Sequence, residues 1–277
     1  MFIAQCLYAI TRPSQVPEPL FSPVTVVCIS DTHNSQAEIP DGDILVHAGD
    51  LTQSGSFEEL QQTLNWLQRQ PHQHKIVIAG NHDLLLDDTL KHRPSHTHDT
   101  RTRDDLEWGD ITYLQDSATM LKCSNGRQLL LYGSPKSPQY GNWPFQYPRS
   151  EDVWSNVVPE GTDILITHGP PRAHLDLIKL GCIHLLNEIW RVRPSLHVFG
   201  HVHDGYGQEW LYYDGLQAAF ERVVIAGGGL WGLLGVLKET FLWCCTSMKA
   251  PSTLLVNPAM TGGLRDEHVR RPIVVRI

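Results

Sequence analysis

Five short segments concentrate side chains of the kind that hold metal ions: Asp31-Thr32-His33-Asn34, His47-Ala48-Gly49-Asp50, Gly80-Asn81-His82-Asp83, Thr167-His168-Gly169-Pro170-Pro171 and Gly200-His201-Val202-His203-Asp204. Imidazole, carboxylate and carboxamide groups with no thiolate among them suit Mn, Fe or Zn better than a soft sulfur site would. The candidate ligands are Asp31, His33, Asp50, Asn81, His168, His201 and His203. That is too many for one tetrahedral ion and about right for two ions that share a carboxylate. Two cations about 3.5 to 4 Å apart lower the pKa of a bridging water, offset the charge of a phosphoryl group and present hydroxide for in-line attack. A phosphate ester is the natural substrate of such a site.

Each of these segments follows a short apolar run, at residues 24–29, 44–46, 75–79, 164–167 and 196–199, and a sixth run at 129–132 has no ligand cluster after it. Near-continuous β-branched and leucine-rich runs of this length read as buried strands. Between the second and third runs, Phe57, Leu60, Leu64 and Leu67 recur at helical spacing behind a Ser56/Glu59 capping box, and residues 182–192 read as a second helix that stops before Pro194. Strands alternating with helices predict a layered α/β fold, in which the carboxyl ends of the strands form the crevice where distant segments converge. Two late strands, at 253–256 and 273–276, bring the sheet back to close the domain.

The ordered motifs D-x-H, G-D, G-N-H-D, H and G-H-x-H resemble those of the calcineurin-like metallophosphoesterases over roughly residues 24–277. Each is weak alone, but five in family order, each at a strand end, are specific. The resemblance implies an α/β fold built as a layered β-sandwich, two mixed sheets flanked by helices. It also implies that Asp31, His33 and His203 hold one metal ion, that Asn81, His168 and His201 hold the other, and that Asp50 bridges them. His82 matches the family position that protonates the leaving oxygen or contacts the phosphate, with Asp83 fixing its tautomer. Ser30 to Asn34, Thr167 to Pro171, Gly200 to Gly207 and Asn257 to Met260 look like the branch of metallophosphoesterase-domain-containing proteins, some of which act on phosphodiesters including cyclic nucleotides. Others in that branch have lost the first His of G-H-x-H, which here is His201.

Other features carry less chemistry. His47 reads as a strand-end residue behind the ligands. Asn34 serves equally well as a turn residue or as a donor to a phosphate oxygen. After the fourth strand, Tyr140, Asn142, Trp143, Phe145 and Tyr147 form an aromatic loop in which Asn142 and Trp143 are the candidate substrate contacts. His174 reads as a surface or capping residue, and Gly228 and Gly229 do not form a dinucleotide fingerprint. The polar stretch 91–105 reads as a solvated loop, so His96 and His98 are not counted as ligands.

Lys and Arg number 22 against 30 Asp and Glu, a net charge of −8, which argues against general nucleic-acid binding. Six cysteines without a C-x-x-C pair fit a reducing, intracellular (cytoplasmic) setting, and the apolar start lacks the marks of a signal peptide. Within the apolar stretch 223–245, three consecutive glycines and the pair Lys238/Glu239 argue against a transmembrane segment and for a buried or partner-facing helix at about 230–243. Pro13, Pro17 and Pro19 predict an extended N-terminal arm over residues 1–22, ahead of a single domain over 23–277. The reading is a two-metal phosphoesterase acting on a small-molecule phosphodiester, a cyclic nucleotide among the options, or on a small phosphomonoester. Two readings compete with it: a low-turnover metal- and nucleotide-binding protein, and a two-metal enzyme acting on a non-phosphate substrate.

Overall fold

Side chains along a β-strand alternate between faces, so a strand that is apolar throughout needs packing on both sides. The structure, a computed structural model, meets this need with two facing sheets, each backed by helices. It describes residues 1–11, 22–88, 100–246, 250–263 and 268–277. The described elements begin with α1 (Phe2–Thr11), β1 (Thr25–Ile29), β2 (Ile44–Ala48), α2 (Phe57–Gln68), β3 (His74–Ile78), β4 (Ile111–Tyr113), β5 (Ser117–Lys122) and β6 (Gln128–Ser134). They continue with β7 (Ser137–Pro138), β8 (Gln146–Tyr147), β9 (Ile164–Thr167), α3 (Ile183–Val192), β10 (Leu196–Val198), β11 (Gly207–Tyr212) and α4 (Gly215–Ile225). Last come α5 (Leu230–Thr246), β12 (Ser252–Asn257), β13 (Thr261–Gly262), β14 (His268–Val269) and β15 (Ile273–Arg276).

One sheet has the order β15-β1-β2-β3-β4, parallel except for β15. The other has the order β11-β12-β10-β9-β6-β5, with its four central strands parallel and both edge strands antiparallel. Val26 and Cys28 of β1 meet Val46, Ile76, Ile166 and Val198 in the core between the sheets. Val27 and Ile29 point the other way, under Leu60, Leu64 and Leu67 of α2. Three fully buried leucines contribute roughly 1.5–3 kcal/mol each to holding that helix down. On the far side, Leu185, Leu186 and Ile189 of α3 cover Leu165 and Leu255. Both helices start as the sequence predicts or close to it. The Ser56 hydroxyl accepts from Glu59 N–H at 3.3 Å, and Cys182 Sγ accepts from Leu185 N–H at 3.4 Å. Arg193 ends α3 in a left-handed conformation, one residue before Pro194.

The N-terminal region departs from expectation. Residues Phe2–Thr11 form a helix rather than part of an extended arm, because no proline precedes Pro13 and because Ala4, Leu7 and Tyr8 have an apolar surface to pack on. That surface is α4 with Val236 of α5, and the Tyr8 ring stacks on Phe220 at 4.2 Å. Residues 12–21, with Pro13, Pro17 and Pro19, lie outside the described residues, as do His96 and His98. The expected helix near 230–243 is present as α5, and its outer side exposes Leu230, Trp231 and Phe241. Among the described residues no helix is long and apolar enough to cross a membrane.

Candidate metal centre

Parallel strands within each sheet bring β1, β2, β3, β9 and β10 to a common edge at their carboxyl ends, and the ligand segments are the turns that leave them. These turns are tightly bent. Asp31, His33, Asn34, Asp50 and His201 all have positive φ, between 42° and 71°, where a side chain costs of order 1–3 kcal/mol. Bonds between the turns hold them there. Asp31 N–H donates to Gly49 O at 2.9 Å, His33 N–H to Asp50 O at 3.2 Å, His82 N–H to Asp50 Oδ1 at 2.7 Å, and His201 N–H to Asp31 Oδ1 at 3.0 Å. The glycines of the motifs make room for this convergence. A Cβ on Gly80 would lie 2.3 Å from Asp50 Oδ1, and one on Gly200 would lie 2.1 Å from Asp31 Oδ2.

Three groups of potential ligand atoms result: Asp31, His33 and His203; Asp50, His168 and His201; and His33, Asp50 and His82. Asn81 joins the second through Oδ1, 3.0 Å from His168 Nε2. Asp50 Oδ2 lies between the two sides, 3.4 Å from His168 Nε2 and 3.8 Å from His33 Nε2. The tautomers can be worked out from the outer contacts. His168 Nδ1–H donates to Ala48 O at 3.0 Å and His33 Nδ1–H to Thr52 O at 3.2 Å. The Thr261 hydroxyl gives its proton to Asp31 O at 2.9 Å, so it can only accept from His203 Nδ1–H at 3.4 Å. That leaves the lone pairs of His33 Nε2 and His203 Nε2 facing each other at 3.4 Å. His168 Nε2 likewise faces two oxygen acceptors. Acceptors converging on acceptors repel unless a proton or a metal ion lies between them, so this donor set fits metal binding.

The local field agrees. Burial works against charge on His168, but Asp50 and Asp31 override it and push the imidazole up to about 9, so positive charge at Nε2 is strongly favoured. Burial also opposes charge on the Asp50 carboxylate, yet His168 and His33 hold it well below the usual carboxylate range. Burial lowers His201 to about 4, which keeps it in the neutral form a metal needs.

Among the residues singled out in the sequence, His82 gives Nδ1–H to Gln53 O at 2.8 Å, lies edge-on to His33 and stacks on the Trp143 indole at 4.7 Å. Asp83 does not fix His82, which corrects one expectation. Its carboxylate accepts from Gly80 N–H at 2.8 Å, Leu51 N–H at 3.2 Å, Thr52 N–H at 3.1 Å and Thr52 Oγ1 at 2.8 Å, so it braces one ligand turn against another. Burial and the neighbouring Asp50 raise it to about 7. The Asn34 amide donates to Glu59 at 2.9 Å, and its backbone has the positive φ of a turn residue. Asn142 is exposed and makes none of these contacts, while Trp143 sits beside His82. His47 is buried behind the ligands, bonded to Thr32 Oγ1 at 2.9 Å. His174 is neither on the surface nor at this centre; it lies buried between Glu209 at 2.7 Å and Glu221 at 3.1 Å. The carbonyls of Ala48, Thr52 and Gln53 carry no side-chain signal and escape sequence reasoning, and so does Thr261, just past the Asn257 to Met260 segment.

The sequence matches the model of the calcineurin-like phosphoesterases over residues 24–205. The chain belongs to that family. It is 45% identical over 92% of its length to a probable rhamnogalacturonate lyase C of Emericella nidulans, of which it spans 24%. It is 39% identical over 65% of its length to human metallophosphoesterase domain-containing protein 1, of which it covers 61%, and 37% identical over 66% to UPF0046 protein K07C11.7 of Caenorhabditis elegans. The chain therefore spans about a quarter of the first relative and about three fifths of the second. Among solved structures, TT1561 of Thermus thermophilus aligns with 68% of this chain and 84% of its own at 12% identity and a TM-score of 0.43.

Proposed function

We propose that this chain is a dinuclear metal-dependent phosphoesterase, hydrolysing a phosphodiester or a small phosphomonoester. The observation that carries the reading is Asp50, whose one carboxylate oxygen lies between two groups of imidazoles with their lone pairs turned inward. In this reading Asp31, His33 and His203 hold one ion, Asn81, His168 and His201 the other, and Asp50 both. Two such cations, of Mn, Fe or Zn type, would supply charge neutralisation for the phosphoryl group and an activated water. His82, with Nδ1–H committed to Gln53 O, has Nε2 free to carry a proton to the leaving oxygen. Trp143 backs His82 with one ring face and is 42% exposed, so it also offers an apolar wall to the substrate's leaving group. The lyase name of the fungal relative belongs to a protein about four times the length of the matched part, and nothing in this ligand set calls for that chemistry.

The test is hydrolysis of bis(p-nitrophenyl) phosphate beside p-nitrophenyl phosphate by Mn-reconstituted protein, with Asp50→Asn as background. Diester or monoester turnover that vanishes in the variant is expected, and the preferred substrate directs the search for the natural one. Neither ester turning over, with two ions bound per chain, would overturn the reading in favour of a binding protein or a non-phosphate substrate.

A further inference from the structure

Arg270 belongs to none of the ligand motifs, yet its guanidinium reaches the backbone of a proposed ligand. Nη1 donates to His203 O at 2.5 Å, Thr261 O at 3.1 Å and Ala259 O at 3.5 Å. Nη2 lies 3.6 Å from the Asp204 carboxylate, and the Tyr206 ring lies 5.3 Å from the guanidinium carbon. Its own N–H bonds Met260 O at 2.7 Å, and Gly262 passes so close that a Cβ there would come within 2.4 Å of the guanidinium carbon. One planar cation thus ties the H-x-H turn to the segment entering β13. Thr261, in that segment, passes the restraint on. Its N–H and hydroxyl both donate to Asp31 O, at 3.2 and 2.9 Å, and its oxygen orients His203 Nδ1.

We propose that Arg270 is the positioning residue of the Asp31/His33/His203 ion and not of the other. The inference rests on the dinuclear reading above. Asn81 and His168, two of the three ligands proposed on the opposite side, are oriented by Ala48 O and by each other, and neither meets the segment that Arg270 holds. The third, His201, shares the H-x-H turn, but its N–H donates to the Asp31 carboxylate rather than to that segment. Lysine would replace it only in part: an ammonium could serve the carbonyls that Nη1 serves, but it has no second nitrogen for the Asp204 carboxylate and no plane to set over the Tyr206 ring. Partners outside the ligand shell commonly change metal affinity by about 10–100-fold, and this is the loss expected for one ion only.

The experiment is Mn²⁺ titration of metal-free full-length protein by calorimetry, for wild type, Arg270→Gln and Arg270→Lys. Each change is also made in His168→Ala and His203→Ala backgrounds, and metal-free unfolding midpoints are recorded alongside. Two ions are expected in wild type. With Arg270→Gln, one should be unchanged and one weakened about 10–100-fold, and Arg270→Lys should fall between. In the His168→Ala background the change should weaken the remaining ion, and in the His203→Ala background it should have no effect. Equal weakening of both ions, or two ions at wild-type affinity, would overturn the proposal, and the lysine variant decides alone if the glutamine variant does not fold. Fewer than two ions in wild type would instead sink the dinuclear reading.

Discussion

The strand-end rim and the helical layer of α1, α4 and α5 invert each other's burial. At the rim, Asp31, Asp50, Asn81 and His168 are 0–5% exposed, and several turns are held in strained conformations by bonds to one another. In the helical layer, Trp231 is 85% exposed, Phe2 77% and Phe241 69%. Burying charged and polar groups is unfavourable unless something compensates, and at the rim the compensation is mutual: opposite charges, backbone donors and a geometry suited to cations. Exposing large apolar groups is also unfavourable, and here the fold itself offers no compensation. Stability is therefore tied to chemistry at one end and to simple packing at the other.

Substitutions should separate the two regions, and the largest effect belongs to the rim. Asp50→Asn keeps an oxygen for His82 N–H but removes the charge that faces both groups of imidazoles, and His168→Ala removes a proposed ligand. Each should lower turnover on the order of 1,000-fold or more in steady-state assays, with the metal-free fold retained by circular dichroism. Full activity in both would erase the distinction drawn for the rim.

The next effect lies at the boundary. Burial disfavours a charged His174, but Glu209 and Glu221 outweigh it and raise the imidazole to about 10. A folded-state pKa above the unfolded value of about 6.5 means that stability is fully present below pH 6.5 and is lost as pH rises through about 10. His174→Ala should cost about 3 kcal/mol in urea unfolding at pH 6, and the difference from wild type should shrink by pH 10. A pH-independent difference would show that the pair is not ionic.

Within the helical layer, Tyr8→Ala loses the stack on Phe220 and the bond to Gln217. About 2 kcal/mol of stability should go, with kcat/KM unchanged within about twofold. A large loss of turnover there would mean that the two regions are coupled. Smallest of all, Trp231→Ser should change stability by no more than about 0.5 kcal/mol in urea unfolding. A loss of several kcal/mol would show that this face is packed rather than open.

The same contrast explains what could be read from the sequence. The ligand turns are legible because Asp, His and Asn directly after fully apolar strands have few structural reasons to be there, and five such turns in order leave a family resemblance. The sandwich follows from the same strands. Asp83 misleads because its neighbour in sequence, His82, is not its neighbour in space: the turn at Gly80 sends the carboxylate inward to backbone N–H groups and the imidazole outward to Gln53. Helix α1 is missed because the prolines that argue for an extended arm all follow it. Its partner surface on α4 and α5, more than 200 residues away, cannot be seen in local periodicity. Arg270 leaves no trace either, since its acceptors are carbonyls, which every residue carries.

The first strand of the sandwich completes its pairing only with the last: β1 hydrogen-bonds to β15, and Asp31 O receives Thr261 from 230 positions later. During synthesis the chain is made in one direction, so the turn at Asp31 must wait for 230 further residues before its bond to Thr261 exists. Contacts of such long sequence separation form slowly and leave strand edges open in the meantime. A ribosome-bound chain that stops before β13 would therefore carry all seven proposed ligand residues without the geometry to use them. The centre is in this sense assembled only after β13 and β15 arrive.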